Sequence, residues 1–329
     1  MNQDLPIFDY KRFMETVFPR LTAPQTLDDA RAALQVAIDS AFVLLRPAMG
    51  KDAPSEMLQD AHHLAQIIVL RSVSIMRLAE GVQYVNATNP VHSLKPTLDA
   101  ASIWGLVRSQ YEAFAAFNNI FAQHTGPEQE LLFNLWVISG LKYRQRFRGP
   151  LEDLDIANDL PPELLQKANE ERDAIIQRQA HIEAMPLFTA LVSDKQEEVR
   201  EAIRKKEFKY VFKNGVPTYQ PWHELFNRTV DTKLFDSHYT YMSLWSHPSN
   251  VSAFSFKDLF SSGAVAGQVE MAVHFASLLL AFMLRDKMSV FPECRAAFEE
   301  LPPPHQVLLD GWNEWFRGKD MRIVRIPMP

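Results

Sequence analysis

The chain has 329 residues, with 34 Lys+Arg against 40 Asp+Glu and a formal net charge of −6. A hydrophobic share of 47% beside 22% charged residues is an ordinary globular balance and excludes wholesale disorder. The 11 glycines argue against glycine-loop nucleotide folds and turn-dense β architectures, and the 1 cysteine (Cys294) excludes a disulfide scaffold and a cysteine zinc site.

The N-terminal stretch MNQDLPIFDYKRFM has no basic run followed by an apolar one, so no signal peptide is expected. Helical periodicity begins at Thr26–Leu45, where Leu34, Ile38, Ala41 and Leu45 share a face and Pro47 stops the helix. Ser55 reads as the N-cap of a helix to about Val85 that is apolar over a wide arc, as a central bundle helix is. Asn86–Pro96 reads as a connecting loop.

A helix over about Thr97–Gln123 carries two apolar rows, one of them Trp104, Val107, Tyr111, Phe114, Asn118 and Phe121. Its remaining stripe is Ala101, Gly105, Arg108, Glu112, Ala115 and Asn119. Two charges among small residues do not make a solvent face, and another helix is expected to lie there. A further helix spans about Glu128–Phe147. Composition then turns more charged over Leu151–Lys206. Pro161-Pro162 starts one helix and the capping-box pattern Ser193-x-x-Gln196 a second, so 151–206 reads as a helical-hairpin insertion on a single domain, 1–329. Asn214-Gly215 marks a short β-hairpin within 208–219. Helices return at about Asp231–Trp245, Val265–Lys287 and Pro303–Phe316. The fold class is therefore all-α: a multi-helix up-and-down bundle with a charged hairpin insertion and at most one short β-hairpin.

The most apolar window, Ala264–Leu284, contains Gln268, Glu270 and His274. It falls short of the roughly twenty apolar residues of a membrane span and reads as a core helix. The chain is expected to be soluble and cytoplasmic, with no membrane partner. The acidic balance gives no global footprint for nucleic acid.

No phosphate-cradling glycine loop, zinc-protease helix or paired-cysteine motif is present, so no cofactor and no metal are expected. Asp60 with His63 and Glu270 with His274 put two ligand types on one helical face, which is too few for a site. Arg108 and Glu112 stand in the poorer order for a helix ion pair, so local helix support explains them weakly. If buried, each charge demands a partner, and Arg71 from the neighbouring helix is placed to face Glu112. The bland alternative is a bundle-locking ion pair or an exposed face.

In YTYMSLWSHPS, Tyr239–Ser249, a helix puts Asp236, Thr240, Ser243 and His247 on one stripe, with His247 at its end within reach of Ser243. A histidine there titrates near neutral pH. The alternative is a helix cap or a core hydrogen bond. Lys142, Arg144, Arg146 and Arg148, interleaved with Tyr143 and Phe147, form a basic cluster, and Arg204, Lys205, Lys206, Lys209 and Lys213 form another. Each reads either as a solvated helix end or as a site for a phosphate.

Taken in order, RSQYEAF at Arg108–Phe114, PWHELF at Pro221–Phe226 and Tyr239-x-x-x-Ser243-x-x-x-His247-Pro248-Ser249 resemble a bacterial all-helical family of unknown function. That family is distantly similar to the HEPN superfamily, helical bundles that include ribonucleases of toxin–antitoxin and anti-phage systems. The chain departs from the nuclease pattern, because Ser243 stands where an Arg is expected before His247. The resemblance implies a pocket of Arg108, Glu112, Ser243 and His247, with Tyr239, Arg71 and Arg144 binding a phosphate-bearing ligand or RNA. In it His247 would act as general acid/base, Arg108 would stabilise charge and Glu112 would orient Arg108. It also implies a homodimer. The alternative is a non-enzymatic interaction or immunity-type module whose Arg-Glu pair is structural.

Overall fold

The computed structural model describes residues 10–50, 54–146, 162–231, 233, 235–246, 253–254, 256–257 and 263–318. In chain order the helices are α1 (Tyr10–Arg12), α2 (Phe18–Thr22), α3 (Leu27–Leu45), α4 (Glu56–Leu78), α5 (Ala100–Phe117), α6 (Gly126–Gln145), α7 (Pro162–Ala184), α8 (Pro186–Thr189), α9 (Ser193–Lys205), α10 (Trp222–Asn227), α11 (His238–Ser246), α12 (Val265–Val290), α13 (Glu293–Glu299) and α14 (Pro303–Arg317). Strands β1 (Val82–Tyr84) and β2 (Leu94–Thr97) pair antiparallel, as do β3 (Tyr210–Lys213) and β4 (Val216–Tyr219). The all-α class holds, with both sheets confined to two strands.

The chain divides into two compact units, one of Met1–Asn118 with Phe226–Pro329 and the other of Asn119–Leu225. The first unit is built around α12. Its residues from Leu278 to Leu284 are all buried, so it has no solvent face there. It packs against α3, α4, α5 and α14. Among the described residues α12 is the one helix long and apolar enough to cross a membrane, and 61% of its apolar window is buried inside the fold. Polar ties fix its neighbours. Gln110 Nε2 on α5 donates to Ser72 Oγ on α4 at 2.9 Å and to the Ala276 carbonyl on α12 at 3.3 Å.

Local signals explain the starts of α3, α4 and α5. The Thr26 and Ser55 side chains cap α3 and α4, as Asp99 caps α5. The helix expected to reach Val85 stops at Leu78, because Gly81 takes φ +99 and turns the chain into β1. The segment read as a loop thus folds as a second hairpin. Beyond α5 the chain continues as a π-helical turn, Asn118–Ala122.

The second unit holds α6 to α9 and the β3–β4 hairpin, so the hairpin insertion keeps company with α6, against which α7 and α9 pack. The β3–β4 turn at Asn214 and Gly215, both at positive φ, is the Asn-Gly turn that the sequence predicts. The capping box at Ser193 does not form. No side chain caps α9, and Gln196 Nε2 instead donates to the carbonyls of Phe188, Thr189 and Leu191.

Candidate functional site

α5 turns Trp104, Val107, Tyr111 and Phe114 fully into the core. That rotation leaves Arg108 and Glu112, one turn apart, on the helix flank. α11 packs against α5 and brings Tyr239 onto them. The expected helix over the sparse stripe is therefore α11, although Gly105 itself has no neighbour within 4 Å of where a Cβ would stand.

Three groups close a triangle there. Arg108 Nε donates to Glu112 Oε1 at 3.1 Å, Arg108 Nη2 donates to the Tyr239 hydroxyl at 3.0 Å, and that hydroxyl donates to Glu112 Oε1 at 3.2 Å. The guanidinium carbon lies 5.1 Å from the Tyr239 ring centre. Burial lowers the affinity of Arg108 for its proton, but Tyr239 and Glu112 outweigh it and the net shift is upward. The pair is not sealed, since the Arg108 and Glu112 side chains keep 18% and 28% of their surface.

Arg71 approaches from α4. Its Nη1 donates to the Ser109 carbonyl at 2.8 Å, the single hydrogen bond it makes among the described residues. Burial pulls its pKa down and the Glu112 charge opposes that pull, so the two groups feel one another. The Arg71 guanidinium thus lies in the field of Glu112 without an ion pair to it among the described residues, and it keeps planar donors to spare.

Tyr111 adds a group that the periodicity presents only as a core aromatic. Its ring stacks on Phe226 with centroids 4.2 Å apart and lies 5.6 Å from Tyr239. Its hydroxyl is buried without a hydrogen-bond partner among the described residues. Burial raises its pKa, and the charges of Tyr239, Glu112 and Asp236 add to that. The only sequence signal for it is a Tyr where a Phe would fill the same space.

On α11 the Ser243 hydroxyl donates to the Tyr239 carbonyl at 2.7 Å, so its proton is engaged by backbone. Asp236 is exposed, and its Oδ1 accepts from Asn227 at 3.0 Å. Neither arrangement is that of an activated serine. His247, Pro248 and Ser249 lie outside the described residues, as do Phe147 and Arg148. Arg71, Arg108, Glu112 and Tyr239 are brought together, Ser243 is tied to the backbone of its own helix, and Arg144 belongs to the second unit and is ion-paired with Glu171.

The other candidates have local explanations. Asp60 and His63 meet at 4.0 Å on the surface, and His274 lies edge-on to Trp312. No group of metal-ligand residues occurs among the described residues. A cleft of about 460 Å³ between α3 and α4 is lined by Asp28, Arg31, Arg77 and Glu80, whose charges pair with one another. No protein-family model matches the chain, and no curated protein or solved structure matches it either.

Proposed function

We propose that this chain is a HEPN-like helical protein whose recess around Arg71, Arg108, Glu112 and Tyr239 binds a phosphate-bearing ligand or RNA. The observation that carries the reading is the half-buried Arg71 guanidinium, with donors to spare, beside the solvent-reached Arg108–Glu112 pair. Planar guanidinium forks match phosphate oxygens, and Arg71 has donors to spare. The buried Tyr111 hydroxyl beside Tyr239, unpartnered among the described residues, supports the same reading. In the catalytic version His247 moves the proton, Arg108 stabilises the charge growing on phosphorus-bound oxygen, and Glu112 holds Arg108 in place. A cytoplasmic location and pairing of two copies complete the reading.

The test is incubation of labelled RNA with the wild type, His247→Ala and Arg108→Ala. Both variants are expected to lose cleavage, and Arg108→Ala to lose affinity for inorganic phosphate as well. Equal cleavage by all three proteins, or cleavage by none, removes the nuclease version. The second reading, a non-enzymatic interaction or immunity-type module, is favoured by the closure of the Arg108–Glu112–Tyr239 triangle, which links α5 to α11 without any ligand. Under that reading Arg108→Ala lowers stability and leaves phosphate affinity unchanged.

A further inference from the structure

The two basic runs, far apart in sequence, meet in the second unit. The last turn of α6 packs on the last turn of α9, where Lys142 Nζ donates to the Ile203 carbonyl at 3.0 Å and Ser139 Oγ to the Lys206 carbonyl at 2.7 Å. Lys206 takes the left-handed conformation, φ 63, and its ammonium swings over the Tyr143 ring, 5.3 Å from its centre. The Arg146 guanidinium stands 5.4 Å from the same centre. Burial, and then the charges of Lys206 and Arg204, push the Lys142 pKa down, as crowded cations do.

Neighbouring cations are neutralised. Arg204 pairs with Glu197 and Glu201, Lys205 with Glu201, and Arg144 with Glu171. A similar stack, Lys209 over Tyr219 and Trp222, is closed by Glu207 at 3.2 Å. Lys142, Arg146 and Lys206 have no carboxylate partner among the described residues. Favourable helix ends account for the Lys142 hydrogen bond. They do not account for three cations that have no carboxylate partner among the described residues, around a phenol that is 50% exposed.

We propose that this face of the second unit binds single-stranded nucleic acid, with Lys142 and Lys206 on backbone phosphates and Tyr143 with Arg146 as the stacking platform. An exposed ring beside a guanidinium serves unpaired bases, whose faces are free, and not a duplex, whose faces are stacked. The three cations supply the salt-sensitive attraction that strands of any sequence feel. This site is independent of the Arg108 recess in the other unit.

The experiment is fluorescence anisotropy of a labelled ten-nucleotide single strand, as RNA and as DNA, with the full chain over a salt series. The wild type is expected to bind. Lys142→Gln with Lys206→Asn is expected to weaken binding at least tenfold and to flatten the salt slope by about 1.4, two phosphates at ~0.7 each. Tyr143→Ala is expected to weaken it roughly tenfold and Tyr143→Phe to keep it. Thermal melts check that each variant folds, and the exposed Arg146→Gln carries the test if the lysine pair does not. Four results overturn the proposal: no binding by the wild type at low salt; equal binding by all variants; equal affinity for a duplex, polyglutamate or anionic vesicles; or loss with Arg71→Gln while the patch variants bind normally.

Discussion

Glu112 accepts from one guanidinium and one phenol and lies in the field of a second guanidinium, and what happens without it separates a lock from a site. Removing its charge by Glu112→Gln takes the paired carboxylate from Arg108 and its field from Arg71. We expect stability to fall by about 1–3 kcal/mol, less than for a sealed pair because solvent reaches both side chains. We also expect affinity for inorganic phosphate to rise several-fold. A purely structural pair predicts the lost stability with no gain in phosphate binding, so melting and phosphate titration of one variant decide between them. A second residue-scale expectation concerns His274. Burial pushes its pKa down to about 4, and its Nδ1 has no partner among the described residues. The neutral ring fits the fold, while the unfolded chain takes up a proton near the ordinary value of 6.5. Stability is therefore full above that value and drains as pH falls through it towards 4, by up to about 3 kcal/mol. Chemical denaturation at pH 7 and pH 4.5 should show this loss in the wild type and a smaller one in His274→Phe.

At the scale of elements, α12 carries a cost that its apolar sequence conceals. Lys287 is fully buried. Its Nζ lies 3.1 Å from His62 Nδ1 and 3.8 Å from the Phe291 ring centre, with no carboxylate in hydrogen-bond reach among the described residues. Burial pushes its pKa down to about 8, with the nearby Cys294 and Glu293 opposing. A lowered lysine leaves stability highest above its unfolded value and loses it as pH falls through 10.5 towards 8. Below that the buried ammonium is carried at a cost of about 3 kcal/mol. Lys287→Met should raise the melting temperature at pH 7 and flatten the change between pH 8 and pH 10.5. Unchanged melting would show that Phe291 and His62 already compensate the charge.

Elements were legible where a cap and a period agreed. Thr26, Ser55 and Asp99 mark true starts, and the sparse stripe on α5 announced a covering helix. The end of α4 was over-read because apolar spacing continues to Val82, although Gly81 held the stop signal. The Ser193 box failed because Gln196 found three carbonyls to satisfy instead of the cap.

The whole molecule adds what no local pattern holds. Arg71, Arg108 and Tyr239 sit on three helices, and only the packing of α4 and α11 on α5 assembles them. Likewise Lys142 and Lys206 read as two helix ends until α6 and α9 are seen side by side. Arg144, expected beside the recess, has its partner in Glu171 of the second unit. The proposed function requires His247 to share the Arg108–Glu112 recess. The most direct test is the NMR titration of the His247 ring in the wild type and in Glu112→Gln. A carboxylate within a few ångströms favours the imidazolium, so its removal should lower the His247 pKa by about one unit. Superimposable titration curves would contradict the shared recess.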